Sequence, residues 1–348
     1  TFTRSGLIGW TFVEIGVLIA GFIARMLVAH HLWPTMRLGI RHVRRSAFVS
    51  LFSLGGKMFV YQVMTLIGTK AHPLIITQFF GPGGVALYTP GIGLAKLADR
   101  FVLTLRSQLF PLATGYHATG NTKQLHSVLI RGTKYTFLMG IGAYVILAVF
   151  AAPVMRLWLG RSLGEDYRIV AWVMAGWCIF RLLASSGGTQ GAVLLGMNRV
   201  GFLVVVWTIM GIVGVLGSIW LVGFTSMGIV GTVVPGVVSL LILRPILVVY
   251  TCRTCGLSVR RYLREAYFGP SIVLGILVVS ALAMRLLIDP WSLFAVGACM
   301  VAAGALWIPL CWWIAFDDED RQRFAGLFGR ILAKAGIKRG PKPATGPV

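Results

Sequence analysis

Four charged residues, Lys96, Asp99, Arg100 and Arg106, fall inside an otherwise apolar run between Val85 and Pro111. On a helix their spacing of i, i+3, i+4 and i+10 confines them to about a third of the circumference. Leu, Val, Phe and Ala make up the opposite side. Charge at bilayer depth costs roughly 2.5–3.5 kcal/mol per residue on insertion scales, so such a stripe avoids lipid. It lines a water-filled space or a packed polar interior. Three cations against one carboxylate leave positive charge over, and the chemistry that suits is the binding of an anion. The competing reading is a structural network in which Asp99 neutralises Lys96 or Arg100.

These residues need membrane-length helices to hold them. Segments long enough for about 30 Å of hydrocarbon run near 5–30, 47–69, 84–110, 126–152, 168–195, 201–223, 228–251, 266–287 and 291–315. The second is expected to continue, bent, through Pro73 to Phe80. At a rise of about 1.5 Å per residue, Lys57, Lys96 and Arg181 fall near the bilayer midplane, too deep to snorkel to headgroups. Asp99 and Arg100 lie one turn further on, then Arg106, then Arg131 and Lys134 at the start of the next helix. The expected arrangement is a graded cationic track binding substrate through Lys57, Lys96, Arg100, Arg106 and Arg181. Two carboxylates, Glu14 and Asp99, fall within the apolar segments and are candidates for ion coupling or charge balance.

Composition agrees. Charged residues are 12% of the chain and mean hydropathy is +0.83, against about a quarter charged in soluble domains. The expected fold class is therefore an all-α integral membrane protein of about nine transmembrane helices. A net charge of +22 partly reflects the basic bias of cytoplasmic loops, and no basic soluble domain is left to bind nucleic acid. Cys252 and Cys255 form a lone CxxC without a second pair or nearby His, which reads as two small apolar residues. The six histidines make no ligand pair, and GxxxxGK[ST] is absent. No catalytic residue, metal site or cofactor is expected. Gly187-Gly188 and Gly91–Gly93 read as packing or hinge glycines within helices.

Loop charge sets the orientation. Connections holding Arg37, Arg41, Arg44 and Arg45, then Lys123, Arg131 and Lys134, then Arg199, then Arg253, Arg260, Arg261 and Arg264 alternate with nearly uncharged ones. The basic set and the C-terminus are expected in the cytoplasm. Trp33 to Arg45 reads as a basic amphipathic linker on that face. After Asp317 comes an acidic run, a short basic amphipathic helix and a polar end. Residue 1 is Thr, no secretory leader is recognisable, and the start falls outside the cytoplasm. About five further helices are expected upstream.

Several short motifs recur in a known order. Leu51-Phe52-Ser53-Leu54-Gly55 opens one helix, Phe79-Phe80-Gly81 precedes Val85-Ala86-Leu87-Tyr88, and Leu109-Phe110-Pro111 closes the next. Met155-Arg156-Leu157-Trp158-Leu159-Gly160, Leu194 to Arg199 and Gly228-Ile229-Val230-Gly231-Thr232 follow. Over about 46–250 this resembles the second half of polysaccharide exporters and O-antigen flippases of the multidrug/oligosaccharidyl-lipid/polysaccharide exporter superfamily. The resemblance implies two six-helix lobes facing each other. Residues 1–45 would be the last helix of an N-terminal lobe, otherwise mostly missing here, plus the linker. Residues 46–252 would be the six-helix C-terminal lobe, 253–316 two additional helices, and 317–348 a cytoplasmic tail.

The function this implies is export of polyprenyl-pyrophosphate-linked oligosaccharide across the bacterial cytoplasmic membrane for O-antigen, exopolysaccharide or capsule. Partners would be that lipid-linked substrate, the bilayer, and a polysaccharide polymerase with its chain-length machinery. A cation-coupled multidrug exporter of the same fold suits a cationic lumen less well. A membrane-embedded polymerase or ligase would want larger outer loops than these.

Overall fold

A computed structural model describes residues 6–32, 45–287 and 292–334, and these are helical almost throughout. The chain divides into two compact units, Thr1–Gly55 and Gly56–Val348. In the first, helix α1 (Gly6–Leu32) exposes Trp10, Phe12, Leu18 and Phe22 around its circumference, as a lipid-facing helix does. Glu14 is exposed on it. The linker read over Trp33 to Arg45 lies, as far as residue 44, outside the described residues.

Helix α2 is assigned over Arg45–Ser107, but its backbone leaves helical angles at Gly81, with φ 66° and ψ −171°. Glycine alone adopts that conformation without a Cβ penalty. The chain reverses there: the rings of His72 and Tyr88 lie 6.4 Å apart, where a straight helix would separate them by about 24 Å. The second segment thus continues through Pro73 to Phe80, as expected, and the chain turns at Gly81.

Helix α3 (Leu109–Ala118) extends the second arm to a turn. Asn121 accepts from the Gln124 N–H at 3.2 Å and caps α4 (Thr122–Gly140). A π-helical turn over Ile141–Val145 leads into α5 (Ile146–Val149) and α6 (Ala151–Leu163). Next come α7 (Tyr167–Ser186), α8 (Gly188–Gly196), α9 (Val200–Phe224) and α10 (Val234–Cys255). Then follow α11 (Val259–Leu263), a second π turn over Arg264–Phe268, α12 (Gly269–Leu287), α13 (Leu293–Leu310) and α14 (Asp318–Lys334).

With α14 set aside, counting the arms of α2 separately and joining the helices that continue one another gives the expected nine rods among the described residues. Seven spans among the described residues are long and apolar enough to cross a membrane. The arms of α2 are not among them, and they carry Lys57, Lys70, Lys96, Asp99, Arg100 and Arg106. The helices richest in candidate chemistry are those whose apolar signal the charges dilute.

One buried cluster joins the second arm of α2 to α6 and α7 through Tyr88, Met155, Met174 and Trp177. Another seats α12 and α13 on α4 and α5 through Phe137, Ile141, Phe150, Leu277 and Cys299. A third gathers Leu129, Val193, Cys252, Cys255 and Tyr262, so the CxxC cysteines serve as small apolar residues.

At the foot of α4 the expected cationic track gives way to a neutralised network. Lys134 is 2% exposed and donates to Asp317 Oδ2 at 2.7 Å and Asp320 Oδ2 at 2.9 Å. Tyr135 donates to Asp320 Oδ1 at 2.5 Å, and Arg131 pairs with Glu319. A buried ammonium is strongly disfavoured without counter-charge, and the acidic run that opens α14 supplies it. Phe324 of α14 stacks on Phe316 at 4.8 Å, completing the dock. Burial alone would raise the Asp320 carboxyl. Hydrogen bonds from Tyr135 and Lys134, with the Lys134 charge, outweigh burial and hold it below the ordinary carboxylate range.

Candidate functional site

The helices place the intramembrane charges in two groups. Asp99, on the second arm of α2, is 6% exposed. It accepts a hydrogen bond from the Tyr144 hydroxyl and pairs with Arg181 of α7. Tyr144 lies within the first π turn, where one extra residue per turn re-aims side chains. The Arg181 guanidinium also lies 5.9 Å from the Trp177 ring. The carboxylate is therefore paired from across the bundle, and its expected partners on the same helix, Lys96 and Arg100, are exposed.

The second group borders a cavity of about 400 Å³ between the second arm of α2 and α8, α9 and α10. Arg106, at the end of α2, and Arg244, in the middle of α10, both line it, together with Tyr61, Phe110 and Trp207. None of the lining residues is acidic, and neither arginine has an ion-pair partner among the described residues. Arg244 donates to the Ala184 carbonyl at 2.7 Å and to Gln190 Oε1 at 3.4 Å. Its Nε is buried without a partner.

Both arginines rest against glycine. A Cβ at Gly187 would overlap the Arg244 guanidinium, and one at Gly188 would collide with the Arg106 side chain. The glycine pair also marks the junction of α7 and α8. Its role is close approach: two bulky cations reach the backbone where no side chain stands in the way.

Of the expected binding residues, Arg106 lines the cavity and Arg181 sits half-buried on Asp99. Lys57, Lys96 and Arg100 are exposed and outside the cavity lining. Arg244 is absent from the expected set, although a cation between Leu243 and Pro245 in an apolar run meets the test that singled out Arg181. Tyr144 and Gln190 carried no such signal. Among the described residues no group of three His, Cys, Asp or Glu could hold a metal ion.

Such a site can hold an anion against two guanidiniums, with aromatic rings beside it to cover sugar or lipid faces. It contains no nucleophile–base pair. Residues 7–165 match the family described as "Polysaccharide biosynthesis protein". Over 319 residues the chain is 22% identical to the uncharacterized membrane protein EpsK of Bacillus subtilis (strain 168), covering 89% of this chain and 61% of that protein. Its fold matches an inward closed structure of the lipid II flippase MurJ with a TM-score of 0.54 at 15% identity, covering 89% of this chain and 63% of that one. The chain thus spans about three-fifths of the length of each. In sequence this multi-pass membrane protein resembles the polysaccharide biosynthesis family, and in fold a lipid-linked-saccharide flippase, in line with the resemblance that its motifs carry.

Proposed function

We propose that the protein carrying this chain moves a polyprenyl-pyrophosphate-linked oligosaccharide across the bacterial cytoplasmic membrane for surface polysaccharide assembly, and catalyses no covalent step. The observation that carries this reading is the cavity with Arg106 and Arg244 on its wall, no acidic lining residue, and the buried Arg244 Nε still without a partner. Guanidiniums form paired, charge-assisted hydrogen bonds to phosphate and replace the water it loses. Tyr61, Phe110 and Trp207 offer apolar faces to the sugars or the first isoprene units.

The exposed cations fit the same reading. Lys57, Lys96 and Arg100 belong to membrane helices yet are uncovered by this chain, and charge does not face lipid at that depth. They would face an aqueous lumen and spread the attraction over several weak contacts, so that substrate is released as well as bound. Arg181 is held by Asp99 until phosphate competes for it, which makes Asp99 a charge-balancing residue; Glu14 remains a candidate for ion coupling. Alternating access by rocking of two lobes, basic loops and C-terminus in the cytoplasm, and delivery to a polymerase complete the proposal.

The test is depletion of the intact protein in its host, followed by mass spectrometry of the lipid extract. Polyprenyl-pyrophosphate oligosaccharide is expected to accumulate and surface polysaccharide to fall. Wild-type protein should restore export, whereas Arg106→Ala and Arg244→Ala, inserted at normal levels, should not. Full export from both variants would overturn the anion site. Unchanged lipids with new sensitivity to toxic compounds would point to a multidrug exporter instead.

A further inference from the structure

Behind Arg244 runs a buried polar chain that the transport reading does not use. Gln190 of α8 is fully buried; its Oε1 accepts from Arg244 Nη1 at 3.4 Å. Its amide nitrogen donates to the Tyr262 hydroxyl at 2.9 Å and the Tyr267 hydroxyl at 3.3 Å. Tyr262 belongs to α11 and Tyr267 to the π turn that follows. The donor of Tyr267 is used on the Ser186 carbonyl at 3.4 Å, and Tyr262 shares a 2.8 Å hydrogen bond with Thr133 of α4.

An amide has one accepting end and one donating end, and in a dry interior it cannot be left reversed. Two tyrosine oxygens on one side fix the NH2 end of Gln190 there. The carbonyl must then face Arg244, which draws one arm of the guanidinium back from the cavity, as Ala184 does the other, and leaves Nε open. We propose that Tyr262 and Tyr267 are positioning residues that, through Gln190, set how Arg244 meets an anion in the cavity. The segment leading into the additional helices thereby tunes the affinity of a site it does not line. This rests on the anion site proposed above.

The experiment is calorimetric titration of the full chain in lipid nanodiscs with inorganic pyrophosphate. Arg244→Ala, Tyr262→Phe, Gln190→Ala and the Tyr262→Phe/Gln190→Ala double variant are compared with wild type. Tyr262→Phe keeps the ring and removes the hydroxyl that accepts from Gln190 and bonds Thr133, so binding should weaken roughly fivefold. In the Gln190→Ala background the same change should have no further effect, because the link to Arg244 is already cut. A purely structural tyrosine would act equally in both backgrounds, and that result, or no effect of Tyr262→Phe, overturns the inference alone provided Arg244→Ala abolishes binding. Absence of pyrophosphate binding by wild type, or binding untouched by Arg244→Ala, overturns the anion site and this inference together. Tyr267→Phe carried through the same cycle decides the matter if Tyr262→Phe does not fold.

Discussion

A methyl group at Gly187 would occupy the space of the Arg244 guanidinium, while the glycine's own φ of −104° is open to alanine. The clash falls on the mobile end of a long side chain, so Gly187→Ala should change stability by no more than about 1 kcal/mol. It should nevertheless lower pyrophosphate affinity as much as Arg244→Ala does; calorimetry and thermal unfolding on the same sample separate the two effects. Asp99 behaves oppositely. Its carboxylate holds the half-buried Arg181 and the Tyr144 hydroxyl, so Asp99→Asn should destabilise by about 3 kcal/mol, the order seen when one partner of a buried pair is removed. Adding Arg181→Met to Asp99→Asn should recover much of that loss in unfolding experiments in mixed micelles. Sequence spacing placed Arg181 near the midplane and Asp99 one turn further on, on different helices. It could not pair them, because helical neighbours are local and this contact crosses the bundle.

At the level of elements, Gly81 and α14 carry the clearest consequences. Gly81→Ala forces a Cβ into a positive-φ conformation at the reversal between the arms of α2 and should cost about 1–2 kcal/mol. Gly83→Ala, where a Cβ has open space, should cost less than that; thermal melts of the two variants test it. For α14 the governing group is Asp320. Its folded carboxyl titrates below the unfolded value, so the stability it contributes is complete above the unfolded pKa and is lost as pH falls through the folded one. A nitroxide at exposed Gln322 should therefore be immobile at neutral pH and gain mobility only under strong acid. Asp320→Asn should give the mobile spectrum at neutral pH. The acidic run beginning at Asp317 is conspicuous in the sequence, but as a solvated tail; its docking on Lys134 depends on residues more than 180 positions away.

For the whole molecule, the exposed cations distinguish a lumen from lipid. Lys96 and Leu97 are adjacent and both exposed, as are Arg100 and Phe101. Cysteines at 96 and 100 should react with a charged, water-soluble methanethiosulfonate in intact membranes, and cysteines at 97 and 101 should not. The five native cysteines are buried and give a quiet background. Equal reaction at all four positions would remove the lumen from the proposal. The sequence by itself determined the membrane class and the number of rods, since these follow from segment length and apolar content. It also carried the order of short motifs on which the resemblance rests. Only the tertiary structure decided which charges are spent on each other and which stay available. Asp99 goes to Arg181, Lys134 to the acids at the start of α14, and Arg106 and Arg244 are left facing a cavity. Pairing of charge in a low-dielectric interior depends on distances between helices far apart in the chain, and no one-dimensional spacing encodes them.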